Sequence, residues 1–367
     1  EMATRVRVVG RMYVPLGFYI RLTKNENLFR RRLHTLIRRQ GRNAMAGTTE
    51  KLFWNLRSNR NISTGGQATK ENFRESLKYC EDLVKRHEND YYLCALLAPE
   101  GTYAALITLR AFNIETARVK DSITNPTMGT IRLQWWADAI DSLYSGEETS
   151  DLLKQPVTAM LYILLRRYHF PKEHFLDVLE AREEDMSSDP PATVSDLLSY
   201  GEKTQGSLNE LALHTISLMD KDYNNSAKAV RHAGRFTGMT TLIRSTPFLA
   251  TRGLTYLPKQ LLDENNVSIE SIKESASMGT LSDPLKVIVQ TLADRALEEL
   301  EAARALRPHI TRDVALLTLP ALASEHYLFR LRKNNFEVFD PAVIEPIGFD
   351  PLKLRLWIRW SAWRGVF

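Results

Sequence analysis

The chain has 367 residues, 44% hydrophobic and 25% charged, enough for one large or two small packed domains of ordinary globular composition. Its two cysteines, Cys80 and Cys94, exclude a disulfide framework and suit a reducing compartment, cytosol or organelle matrix. No run approaches the roughly 18 apolar residues of a membrane span; the best, 14–20 and 160–165, are far shorter, so any membrane contact is peripheral. The net charge of +5 is unevenly placed: residues 1–60 hold 14 Lys and Arg against three Asp and Glu, the rest 35 against 41. A basic head on a mildly acidic body is not the footprint of a nucleic-acid binder, whose charge lies on the folded face, so nucleic acid is not expected as a partner.

The basic head has three readings. It is an Arg-rich targeting presequence, an arm that docks on anionic lipid or a partner, or a solvated tail. Residues 55–69 are polar and rich in Gly, Ser and Asn, a linker. From there the apolar spacing is helical. Phe73, Leu77, Cys80 and Leu83/Val84 form a core-facing stripe over 73–87. Helices follow over 103–120, 130–144 (closed by Gly146), 150–168 and 172–186, with a hard break at Pro190-Pro191. Further helices are predicted over 194–219 with Ser195 as N-cap, 225–244 ending before Pro247, 259–265, 284–306 and 313–333. No segment alternates as a strand does. The expected fold is all-α, with nine or ten helices: a basic arm and linker over 1–70, a helical domain over 71–345 and an amphipathic tail over 346–367. In that tail Trp357, Trp360 and Trp363 alternate with Arg355, Arg359 and Arg364. That mixture suits a membrane or protein interface, or a last helix packing its Trp into the core.

Common chemistries leave no trace. Gly65-Gly66 lies in the linker and is no phosphate cradle; no CxxC, HExxH or G-x-S-x-G occurs, and the eight histidines are scattered. No metal and no cofactor is expected. Glu180, Glu183, Glu184 and Asp185 read as a solvated acidic face, able to hold magnesium only if a second acidic helix faces them.

Two blocks carry a resemblance. Residues 79–121, with RAFN inside them, and residues 251–262, TRGLTYLPKQLL, are similar to the opening and the R-x-YLP segment of the squalene/phytoene synthase family. IRLQWWADAIDSLYSGE and SDLLSYGEKTQGSLNELALHTI resemble helices between them, so the likeness spans about residues 71–335. It implies an isoprenoid-synthase-type helical bundle in which two aspartate motifs on facing helices clamp magnesium and a prenyl diphosphate. Hard Mg²⁺ takes oxygen ligands, so the chemistry needs those carboxylates. At the D-x-x-x-D positions this chain has Ala117 and Asp121, with Arg118 and Lys120 adding positive charge; at N-x-x-x-D-x-x-x-D it has Thr241, Ser245 and Leu249. Three of four aspartates are replaced, a change that costs orders of magnitude in rate. Arg244, Arg252 and Tyr256 remain as candidates for a substrate or lipid pocket.

RAFNIETARVKDS followed by a Q-x-W helix most resembles a subgroup of that family, the mitochondrial complex I assembly factor 6 type. The resemblance implies a pseudo-synthase without catalysis, a subunit or assembly factor of complex I on the matrix side of the inner membrane. Its expected partners are complex I subunits or assembly intermediates, with peripheral membrane contact and lipid in the vestigial pocket; Trp357, Trp360, Trp363, Arg355 and Arg359 are the candidates for membrane or partner contact. The competing expectation is an active magnesium-dependent prenyltransferase with relocated ligands.

Overall fold

The computed structural model describes residues 68–122, 125–146, 150–187, 189–216, 220–344 and 350–367; the basic arm lies outside them. The helices are α1 (Ala68–His87), α2 (Asn89–Ala95), α3 (Tyr103–Asp121), α4 (Pro126–Ser145), α5 (Ser150–Lys154), α6 (Pro156–Leu165) and α7 (Lys172–Glu184). They continue as α8 (Val194–Gly201), a π-helical turn (Glu202–Gly206), α9 (Ser207–Leu213), α10 (Asp220–Ala250), α11 (Lys259–Glu264), α12 (Ile269–Met278) and α13 (Asp283–Ala305). A 3₁₀ turn (Arg307–His309) leads into α14 (Arg312–Leu317), α15 (Ala321–Lys333), α16 (Pro341–Ile344) and α17 (Asp350–Arg364). No strand occurs among the described residues, and the all-α bundle agrees with the periodicity.

α3 is the central helix because it is apolar on nearly every side: Ala104, Ala105, Ile107, Leu109, Ala111, Phe112 and Ile114 are all buried. The Phe112 ring meets Trp136 of α4 and Phe175 of α7 edge-on, at 5.4 and 5.3 Å between centroids. Such contacts add about 0.5–1.5 kcal/mol each beyond the area they bury. α4 starts and stops on local signals. The Asn125 side chain accepts from the Thr127 N–H, Pro126 opens the helix, and Gly146 closes it in the left-handed region at φ +79°.

Several boundaries differ from the sequence pattern. The N-cap of α8 is Thr193, not Ser195, because Thr193 and Asp196 form a reciprocal capping box. α10 runs on through Pro247 to Ala250 instead of ending before it. The missing Pro247 N–H costs one helical bond near the end, and burial of Leu249 and Ala250 holds the last turn in place. The expected helices over 150–168 and 313–333 are each divided, at Gln155 and around Pro320. α2 and α12 are too short for their periodicity to show.

α8, the π turn and α9 form one continuous helix that crosses α10 at backbone contact. Gly201 faces Gly238 and Gly206 faces Gly234; a Cβ on Gly234 would lie 2.5 Å from the Gly206 Cα. α17 docks on a second apolar cluster, where Ile358 and Ala362 pack with Cys94, Leu316, Leu319 and Leu322. Its terminal carbonyls accept from three arginines: Arg304 to Phe367 O at 2.9 Å, Arg307 to Gly365 O at 2.8 Å and Arg312 to Ala362 O at 3.2 Å. Cations at a helix C-terminus satisfy its orphan carbonyls and its dipole together.

Candidate functional site

The two segments where aspartates were sought meet in space. α3 ends at Asp121, the turn after α10 carries Arg252, and the guanidinium lies 3.4 Å from the carboxylate. Both side chains are about half exposed, so this pair contributes at most about 1 kcal/mol. Its use is to mark the mouth between the helices.

Around that mouth the replaced positions offer no metal ligand beyond Asp121. Ala117 sits half-buried one turn before it. Thr241, Ser245 and Leu249 follow one another down α10 a turn apart. The Thr241 hydroxyl donates to Thr237 O at 2.8 Å and the Ser245 hydroxyl to Leu242 O at 2.7 Å, so both are spent on the helix itself. Leu249 is buried. Arg244 is exposed, and its charge acts on the Tyr327 hydroxyl of α15, away from the mouth.

A lysine is more buried at the site than Arg252. Lys120 Nζ lies 2.9 Å from Asp185 Oδ1, the Tyr256 hydroxyl donates to Asp185 Oδ2 at 2.6 Å, and Lys120 reaches the Tyr256 oxygen at 3.5 Å. The two charged side chains keep only 24% and 12% of their exposure. Burial, with Tyr200 and Asp185 beside it, pushes the Tyr256 phenol far above its ordinary range, so it stays a donor. Asp185 therefore does not belong to a solvated acidic face, which corrects the expectation for that residue. Glu180 and Glu184 are exposed, as expected of such a face, and share Lys203 at 3.1 and 3.0 Å.

A magnesium ion needs about six oxygen ligands. Asp121 is turned to Arg252 and Asp185 to Lys120, and no group of three or more His, Cys, Asp or Glu among the described residues is placed to hold a metal. The donor set does not fit the ion that the synthase chemistry requires.

Behind the mouth the interior is polar. Tyr200, in α8, stacks on Tyr256 with centroids 6.3 Å apart and binds the Arg182 guanidinium; Arg182 also donates to Asn113 Oδ1 at 3.2 Å. Asn113 Nδ2 donates to Glu88 Oε1 at 2.9 Å. Arg110 clamps the same carboxylate with two bonds of 2.6 Å and donates to Gln205 Oε1 at 2.7 Å. The Tyr91 ring lies under that guanidinium at 3.7 Å. A chain of paired groups thus runs from Lys120 to Tyr91 between α3, α7 and the π turn. An apolar ligand entering it would break buried ion pairs, which is costly. A cavity of about 40 Å³ adjoins it, lined by Tyr91, Cys94, Leu106, Arg110, Leu208 and Leu316. That is room for about one or two waters, far below the roughly 300 Å³ at which ligand pockets begin. The network has a sequence signal: Arg110 and Asn113, three apart inside RAFN, face one way on a helix and share Glu88.

In α17, a spacing of three walks the tryptophans around the helix. Trp357 is half-buried against the second cluster, Trp360 is 43% exposed and Trp363 73%. Arg355 and Arg359 are half-buried at the flanks.

The squalene/phytoene synthase family profile matches residues 84–357. Among characterised proteins, the chain is 28% identical over 287 residues to "NADH dehydrogenase (ubiquinone) complex I, assembly factor 6" of Bos taurus, covering 78% of this chain and 82% of the relative. It is 30% identical over 265 residues to the assembly factor 6 homolog of Drosophila melanogaster, covering 71% and 76%. Among solved structures, a dehydrosqualene synthase superposes with a TM-score of 0.68 at 19% identity, covering 81% of this chain and 99% of that one, a likeness of fold alone. With the profile matching well over half its length, the chain belongs to the squalene/phytoene synthase family.

Proposed function

We propose that the protein serves mitochondrial complex I as a pseudo-synthase, a scaffold or assembly protein that keeps the synthase frame without its chemistry. The observation that carries this is the Lys120–Asp185–Tyr256 cluster at the mouth where aspartates and magnesium would be needed. The similarity to proteins named complex I assembly factor 6 supplies the partner: complex I subunits or assembly intermediates. On this reading the protein works in mitochondria, at the matrix side of the inner membrane. No helix among the described residues is long and apolar enough to cross a membrane.

Separating detergent-solubilised mitochondrial complexes on a native gel, with mass spectrometry for this chain, tests the reading. Co-migration with mature complex I identifies an accessory subunit; co-migration with subcomplexes alone identifies an assembly factor. Absence from both overturns the proposal. Magnesium-dependent turnover of farnesyl or geranylgeranyl diphosphate by the purified protein would overturn the pseudo-synthase part and restore the prenyltransferase reading. Storage of a lipid tail in the old pocket finds less support, because paired Arg110, Glu88 and Arg182 stand in its path.

A further inference from the structure

α17 has two apolar stripes instead of one. Leu354, Trp357, Ile358, Ser361 and Ala362 face the body, at the spacing of a helix face. On the far side Leu356, Trp360 and Trp363 form a second stripe. Beside it Lys353 and Arg364 are exposed, Arg355 and Arg359 are half-buried between the two stripes with one Arg359 guanidinium nitrogen turned inward, and residues 351–367 contain no Asp or Glu. The Arg364 guanidinium lies over the Trp360 ring at 5.5 Å. The helix needs no ligand to take this position: Ile358 and Ala362 hold its inner face, and Arg304, Arg307 and Arg312 hold its C-terminal end.

We infer that the outer face of α17 docks the protein on an anionic lipid bilayer. Trp360 and Trp363 sit at headgroup depth, and the exposed Lys353 and Arg364 beside them meet lipid phosphates. The chemistry favours a bilayer over an acidic protein. A protein partner seats its hot-spot aromatics in fitted pockets, each with particular hydrogen bonds. Here two indoles stand out from one helix, with two exposed cations beside them, the pattern of interfacial helices. Each basic residue near an anionic leaflet strengthens binding roughly fivefold, and that attraction is screened by salt. The inference does not rest on the complex I reading, since lipid vesicles contain no protein partner.

The test is co-sedimentation of the full chain with vesicles of phosphatidylcholine alone or with phosphatidylcholine and phosphatidylglycerol, comparing wild type, W360A/W363A and W135A. Trp135 is also exposed, at 44%, but lies on α4. The expected result is binding to the anionic vesicles only, weakened at least tenfold in W360A/W363A and unchanged in W135A, with all three proteins melting alike. Equal binding by wild type and W360A/W363A would overturn the inference and pass the contact to another part of the chain, the basic head first. No binding to anionic vesicles would overturn it outright. Either failure leaves native-gel co-migration with complex I free to succeed.

Discussion

Replacing Arg110 by Met tests whether the polar interior is held by paired charge. The methionine keeps an unbranched stem and deletes the guanidinium that lies over Tyr91, in a residue only 7% exposed. Three hydrogen bonds go with it, two to Glu88 and one to Gln205. Glu88 is left with Asn113 as its remaining side-chain donor and 18% of its exposure. Removing one partner of a buried pair costs about 3–5 kcal/mol. Partial access of water to Glu88 sets the lower end, about 3 kcal/mol. Against a total stability of about 5–15 kcal/mol that is a large fraction. At about 2 °C per kcal/mol for a body this size, the melting temperature drops by about 6 °C. The companion change Glu88→Gln removes the stranded charge, so R110M/E88Q should melt above R110M although it carries one substitution more. Denaturant or thermal unfolding of the wild type, both single variants and the double variant closes the cycle. A loss under about 1 kcal/mol for R110M, or strict additivity in the double variant, would refute a charge-held interior.

Two further outcomes are expected. Gly234→Ala adds a Cβ 2.5 Å from both the Cα and N of Gly206, where only backbone can yield; the loss of about 1–3 kcal/mol should exceed the ~1 kcal/mol that alanine brings to a helix, and a thermal melt at or above wild type would show that the crossing is loose. Stability should also fall in acid. Burial holds His174 and His214 below their ordinary 6.5, so their contribution is complete above that value and is lost as the pH drops through their lower folded pKa values. For Glu299, burial works upward, but the hydrogen bond and charge of His232 and the charges of Arg235 and Arg295 hold it below 4.5, which adds a second loss beneath that pH. Denaturation midpoints that stay flat as the pH falls below 6.5 would contradict the histidine assignment, and midpoints that show no further fall below 4.5 the Glu299 assignment.

The frame was legible because helical periodicity survives everything else. The stripe Leu77, Cys80 and Val84 is buried as its spacing predicts, and Gly146 closes α4 in the left-handed region. What was not legible depended on partners far apart in the chain. Pro247 looks like a stop signal, yet Leu249 and Ala250 are buried and carry α10 past it. Asp185 looks like one more exposed acid among Glu180, Glu183 and Glu184; only the fold brings Lys120, 65 residues earlier, to its side. Nor does sequence reveal that Gly201 and Gly206 lie against Gly238 and Gly234, since each glycine alone is unremarkable. The tryptophan spacing was visible, but the two readings offered for it divide along the helix: Trp357 turns toward the body, and Trp360 and Trp363 face solvent.

On the pseudo-synthase reading proposed above, the Lys120 pair is what holds the fold together without a metal. Helix ends that converge on a bound cation depend on that cation, because carboxylates brought together without one repel each other. Deleting the carboxylates removes the repulsion and with it the attraction that joined the elements. Here the end of α3, the end of α7 and the segment after α10 are joined by a cation that is covalently part of the chain: Lys120 bonds Asp185, and Asp185 accepts from Tyr256. Arg252 and Asp121 repeat the arrangement at the exposed edge. Such a tether needs no metal supply and leaves no open coordination position, so it preserves the arrangement of the helices while withholding the Lewis acid.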